Sequence, residues 1–231
     1  MKLFNEQVIG FYESLKAGWA MPGGIELLNP FIEAQAWQTT CQYYNKYYAD
    51  ARPRVFVFGI NPGRFGAGVT GIPFTDPVNL EKYCQINHPF APKAELSSQF
   101  VYQFIEAYGG VNKFFSQFFI TAVCPLGFTR EGKNLNYYDD KELNRLLEPV
   151  IIETIEQQIA FGTSRTCCIC LGEGKNYAYL QKLNDKHHFF EQIYPLAHPR
   201  YIMQYKRKKV NDYLAQYVDT LNTCARALPD Q

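Results

Sequence analysis

The sequence predicts an α/β protein: a three-layer α/β/α sandwich on a central four-stranded parallel sheet, built as one domain over residues 1–231. Three observations predict it. The run Arg54-Val55-Phe56-Val57-Phe58 is hydrophobic at nearly every position, as in a strand buried on both faces. Further apolar runs alternate with stretches of helical periodicity, which calls for crossover connections and helices on both sides of the sheet. The first strand also empties into a loop carrying Gly59, Pro62, Gly63, Gly66, Gly68, Gly71 and Pro73. Glycine lets backbone N–H groups approach a ligand, and open α/β sheets bind ligands at the carboxyl ends of their strands.

Each element has its own justification. Residues 4–17 read as a helix with Val8, Phe11, Tyr12 and Leu15 on one face, closed by Met21-Pro22-Gly23-Gly24. Residues 25–33 read as an extended approach, and 34–49 as a second helix with Trp37, Cys41, Tyr44 and Tyr48 on its inner stripe. After the first strand, the chain from Pro77 to Pro92 reads as irregular. Ser97 or Ser98 can cap a helix that buries Phe100, Val101, Phe104, Ile105 and Tyr108 and stops at Gly109-Gly110. Residues 117–123 give the second strand, 139–160 a long helix, 166–171 the third strand and 175–183 a helix. Residues 188–194 give the fourth strand, and 207–224 a final helix with Val210, Tyr213, Leu214, Tyr217, Val218 and Leu221 on one face.

Composition excludes several classes. With 47% hydrophobic and 16% aromatic residues the chain can bury a sizeable core. A formal charge of +1 supplies no global field for a polyanion, so any such partner needs a local patch. The odd count of seven cysteines, a polar opening at Met1-Lys2-Leu3 and no membrane-length apolar run lead to an expectation of a reduced, cytoplasmic protein without a membrane anchor. Cys167 and Cys170 have CxxC spacing but no second pair, so core packing is expected and no metal or other cofactor.

The glycine loop contains two misleading patterns. Gly66-Ala67-Gly68-Val69-Thr70-Gly71 fits GxGxxG, but it lies several residues beyond the strand and Pro73 follows where a helix should open. Gly63 to Gly68 has phosphate-loop spacing, yet Val69 and Thr70 stand where Lys and Ser/Thr are needed. The polar centre of the loop is Asn61, read either as the mouth of a site or as a turn cap. The loops after strands one, two and four should gather Asn61, the Cys124-Pro125 corner and His198 on one edge. His198 is a site residue or a hydrogen-bonded structural histidine. Lys206-Arg207-Lys208-Lys209 opposes the dipole of the helix it opens, a cost that a phosphate would relieve; otherwise it is a solvated face.

Taken together, GINPGRFGAGVTGIPF at 59–74, CPL at 124–126 and HP at 198–199 resemble the single-strand-selective monofunctional uracil-DNA glycosylases. IELLNP, HPFAP, EGKN at 131–134 and LGEGKNYA have counterparts in order, so the likeness covers residues 5–220. It implies the uracil-glycosylase α/β/α sandwich and a hydrolase of base excision repair acting on uracil in single- or double-stranded DNA. It implies Asn61 and His198 as catalytic residues, one positioning the attacking water and the other stabilising the leaving base. Gly63, Ala67 and Phe74 are implied to bind the base, Phe74 by stacking. Arg200, Tyr201, Ile202, Lys206, Arg207 and Lys208 fall where the family contacts DNA and drives a wedge into it, with Met203 a further wedge residue. No lysine stands in the three motifs at 59–74, 124–126 and 198–199 to form a Schiff base, so the enzyme is expected to be monofunctional, and a DNA face on one domain to act as a monomer.

Two departures qualify the expectation. Ala122 stands where the family has an asparagine that reads the edge of uracil, so a bidentate pair carrying about 1–3 kcal/mol of discrimination is missing. The alternatives are a glycosylase for other deaminated bases such as xanthine, or a catalytically weak binder of damaged or single-stranded DNA. The segment Arg200-Tyr201-Ile202-Met203-Gln204-Tyr205 replaces the family's Pro/Asn insert.

Overall fold

The computed structural model of the chain describes residues 2–16 and 19–229. Helix α1 (Phe4–Ser14), strand β1 (Glu26–Leu28), a 3-10 turn (Pro30–Ile32) and α2 (Ala34–Tyr47) lead to β2 (Arg54–Gly59). Then follow α3 (Ala67–Thr70), α4 (Pro77–Lys82), α5 (Leu96–Tyr108), α6 (Val111–Gln117) and β3 (Phe118–Ala122). A hairpin of β4 (Gly127–Arg130) and β5 (Lys133–Leu135) precedes α7 (Lys141–Ile159), β6 (Thr163–Leu171) and α8 (Lys175–His187). The chain closes with β7 (Gln192–Leu196), α9 (Pro199–Tyr205), a 3-10 turn (Arg207–Lys209) and α10 (Val210–Ala225).

The main sheet is parallel throughout, in the order β3-β2-β6-β7, flanked by the helix groups α1–α2–α7 and α5–α9–α10. Its central strand, β2, is buried at every position, which is why its sequence does not alternate. Arg54 at its start is also fully buried; it pairs with Asp50 at 2.8 Å and donates to the Phe115 carbonyl. That guanidinium holds the Asp50 carboxyl below the usual carboxylate range despite partial burial. The chain leaves β2 for β3 on one side, then crosses to β6 on the other. The order of strands reverses at β2/β6, and ligand crevices open at the carboxyl ends of strands at such a switch point. None of the described helices is long and apolar enough to cross a membrane.

Several expectations need correction. The inner face of α2 is Ala36, Thr40, Tyr43, Tyr44 and Tyr47, whereas Trp37 and Cys41 are only half-buried. Trp37 instead lies under the Lys16 ammonium, 3.7 Å from its ring centre. Residues 77–82 form α4, capped by Asp76, whose carboxylate accepts from the Asn79 N–H at 2.8 Å. Ser97 and Ser98 do not cap α5; both are buried inside it, and Ser98 Oγ accepts from Asp76 N–H and Asn79 Nδ2. Leu146, expected with Leu143, Leu147 and Ile151 among the apolar residues of the long helix, is exposed on α7. The fourth strand runs 192–196 rather than 188–194: Asn184 brackets the backbone of Phe190 with two hydrogen bonds, and Pro195 is tolerated because β7 is an edge. Residues 207–209 make a 3-10 turn before α10, and the helix buries Tyr217, Leu221 and Cys224. The cysteines of β6 pack in the core.

The small antiparallel sheet β1-β4-β5 was not anticipated. Its signal was local. Glu131-Gly132, both at positive φ (51° and 68°), make a two-residue turn between short strands, the pattern of a primed hairpin.

Candidate active site

At the carboxyl edge of the main sheet lies a cavity of about 420 Å³. Four segments that are distant in sequence build it. The loop after β2 contributes Asn61, Gly63 and Ala67, and Phe74 follows; the end of β3 contributes Ala122; the start of α9 contributes His198, Arg200 and Tyr201. Asn61 and His198 thus open onto one space.

Asn61 is not free to turn. Its Nδ2 donates to the Leu135 carbonyl at 3.2 Å, and its Oδ1 accepts from the Tyr137 N–H at 3.1 Å. The unforeseen hairpin is therefore what orients this amide. Its oxygen keeps one accepting position, since a carbonyl oxygen accepts two hydrogen bonds.

His198 is the residue before α9 and caps it: Nδ1 accepts the Arg200 N–H at 3.2 Å. With Nδ1 acting as acceptor, the neutral ring carries its proton on Nε2. Burial, aided by the Arg200 charge, pushes the imidazole pKa down to about 4. At neutral pH the group is an uncharged N–H donor.

Phe74 sits in the left-handed region at φ 53°, a conformation that costs a non-glycine residue about 1–3 kcal/mol and clusters at functional sites. Its ring lies 5.7 Å from the His198 ring and is tilted by 47° to it. The ring also rests on the backbone of Gly59: a Cβ there would come within 2.5 Å of Phe74 Cε2. Gly59 is thus set by close approach rather than by its own φ.

The α9 rim divides in two. Tyr201 and Tyr205 are exposed, with ring centres 5.6 Å apart, and both line the cavity mouth. Ile202 and Met203 face inward, at 0% and 6% exposure, so the expectation that either enters a duplex is corrected: they anchor α9 to the core. Arg200, Arg207, Lys208 and Lys209 are exposed, Lys206 is half-buried, and none of the five forms an ion pair among the described residues. Lys206, Arg207 and Lys208 lie beyond the cavity wall.

Sequence reasoning missed Glu95, Asn134, Gln204 and Tyr205, all of which line the cavity. Asn134 Oδ1 accepts the Arg64 N–H at 3.2 Å, tying the glycine loop to β5. Glu95 lies between the stretch read as irregular and the helix read from Ser97 or Ser98, and no motif marks it.

A parallel sheet of this order, with a cavity at its switch point, defines an α/β protein with a ligand-sized crevice at the carboxyl edge of the sheet. The family model described as the uracil DNA glycosylase superfamily matches residues 46–222, and the chain belongs to that superfamily. Among solved structures it is similar to SMUG2 of Pedobacter heparinus: 42% identical, with a TM-score of 0.93, over 96% of this chain and 98% of that one. The protein is a DNA glycosylase for damaged bases, a hydrolase of DNA repair whose substrate is DNA.

Proposed function

We propose that the protein is a monofunctional glycosylase that excises uracil from DNA. The observation that carries this reading is the convergence of Asn61 and His198 on one cavity, with the imidazole fixed as a neutral Nε2–H donor. A base inside the stack cannot be attacked, so it is everted into the pocket, where Phe74 stacks on it, worth about 1–3 kcal/mol. Gly63 and Ala67 leave the pocket wall to backbone at that flank. Breaking the glycosidic bond leaves negative charge on the base. The His198 N–H is aimed at that charge from a desolvated wall, and such a donor lowers the barrier by about 3–4 kcal/mol. Asn61 has no useful pKa and cannot serve as a base. Held by Leu135 and Tyr137, it orients the water that captures the sugar cation. No lysine among the described residues lines the cavity, which supports hydrolysis without a Schiff base.

Outside the pocket, Tyr201 is the side chain available to fill the gap left by the everted base, with Tyr205 beside it. Arg200, Lys206, Arg207 and Lys208 hold the phosphates of single- or double-stranded DNA. Asn61, Phe74 and His198 of one chain already meet in the cavity, which supports a monomer. A second reading, excision of other deaminated bases such as xanthine, is supported by Ala122: its methyl offers no hydrogen bond, and the cavity extends to Phe31.

The test is strand cleavage of uracil-containing oligonucleotides after alkali treatment. Wild-type protein is expected to yield product. His198→Ala is expected to lose about 100- to 1000-fold in single-turnover rate, and Asn61→Ala about 100-fold through misplaced water. Full activity in both variants would overturn the roles given to them. Binding without cleavage by the wild type would make the protein a silent binder of damaged DNA.

A further inference from the structure

Glu95 precedes α5, with its carboxyl in the cavity wall. The carboxyl stands over the glycine loop so closely that a Cβ on Gly66 would lie 2.0 Å from Oε2, and one on Gly63 would lie 3.7 Å from Oε1. Gly66 leaves room for it, and at Gly63 the carboxyl stands at ordinary contact distance. The backbone N–H of Glu95 is anchored to the Asp76 carboxylate at 2.8 Å, which fixes where its side chain starts. The carboxyl itself has no hydrogen bond and no ion pair among the described residues.

Three of the neighbouring polar groups differ from it, whereas Ser97 and Asn136, which also line the cavity, have no side-chain hydrogen bond among the described residues either. Asn61 is held by Leu135 and Tyr137, His198 Nδ1 by Arg200, and the Thr121 hydroxyl donates to Gln158 at 2.5 Å. Ala122 offers nothing polar. A half-buried carboxyl without a partner is left as an unmet acceptor when an entering base displaces its water, and a ligand N–H would meet it. Deamination creates such a group. It turns the ring nitrogen acceptor of cytosine or adenine into an N–H donor in uracil or hypoxanthine.

We infer that Glu95 is a base-reading residue whose carboxylate accepts the ring N–H of the everted, deaminated base, in place of the amide absent at position 122. The inference rests on the glycosylase reading above and adds to it the group that recognises the base. The charged groups facing Glu95 are Asp76 before α4 and Arg200 on α9; His198 shares the cavity, and Arg64 and Lys93 flank Phe65 in the adjoining loop. Burial, with Asp76 adding to it and Arg200 opposing, pushes the carboxyl pKa up to about 7. The accepting form therefore grows in as pH rises through neutrality.

Three measurements test this on the full chain: single-turnover excision of uracil and hypoxanthine, affinity for an oligonucleotide with a tetrahydrofuran abasic analogue, and thermal melting. Glu95→Ala is expected to lose about 10- to 100-fold in excision, the scale of one charge-assisted hydrogen bond, while abasic affinity stays within about twofold because that ligand has no base. Glu95→Gln keeps the volume and should abolish the rise of wild-type rate between about pH 6 and 8. Both variants should melt no lower than wild type above pH 7, because an unpaired charge has gone. Excision by Glu95→Ala within about twofold of a working wild type sinks the assignment alone. A parallel fall in abasic affinity or in melting temperature makes Glu95 structural and sinks it too. A wild type that excises no deaminated base removes the glycosylase reading and this inference together.

Discussion

The floor of the cavity and its rim are built on opposite rules. On the floor, each proposed reacting group is tied down before any substrate arrives: Asn61 by two backbone partners, His198 by the first turn of α9, Phe74 by Gly59. On the rim, Tyr201, Tyr205, Arg200, Arg207 and Lys208 are exposed, Lys206 is half-buried, and none of these cations forms an ion pair among the described residues. The difference teaches what each job demands. Charge stabilisation works only from groups already aimed at the reacting atoms. Phosphate attraction is non-directional and salt-screened, so it needs charge density rather than fixed geometry.

The sharpest way to break this contrast is His198→Ala, expected to remove about 100- to 1000-fold of rate while leaving affinity for an abasic oligonucleotide intact. Equal losses in both would mean that the histidine grips DNA. Next in size is Phe74→Ala, with an expected loss of about 5- to 150-fold in excision, the equivalent of one stacked base. Gly59→Ala should reproduce part of that defect, since its Cβ displaces the Phe74 ring; an unaltered rate in Gly59→Ala would show that the ring's position is unimportant. Ala122→Asn restores a base-reading amide and should shift preference toward uracil over xanthine by about 5- to 150-fold; an unchanged base profile would remove position 122 from recognition. The rim gives the smallest single effects. Alanine at Lys206, Arg207 or Lys208 should each lower the slope of log affinity against log salt by about 0.7–0.9, with single-turnover rate at saturation unchanged.

Stability should carry the same contrast in its pH dependence. The imidazole of His198 has a folded pKa near 4, below its ordinary 6.5, so the folded state binds fewer protons in that window. Its contribution is fully present above about pH 6.5 and is lost as pH falls toward 4. The carboxyl of Glu95, raised from 4.5 to about 7, runs the other way: stability falls as pH climbs through that interval. Melting curves from pH 4 to 8 should show His198→Ala flattened on the acid side and Glu95→Gln flattened toward neutrality, while rim substitutions leave the profile alone. A rim variant that reshapes it would deny the division.

The sequence by itself determined the parallel sheet, its flanking helices and the three loops that meet at one edge. Burial of strands on both faces leaves a continuous apolar run, and glycine, proline and asparagine punctuate the chain where backbone must bend. Asn61, Phe74 and His198 were visible because they sit in motifs at strand ends. Only the tertiary structure decided what holds them and what faces them. The β4–β5 hairpin that pins Asn61 joins residues more than seventy positions apart. The inward turn of Ile202 and Met203 depends on α9 packing against α5. The cavity-facing carboxyl of Glu95 lies against Gly66, some thirty residues earlier. Local periodicity records which face of an element is apolar; it carries no record of which distant segment will lie against that face.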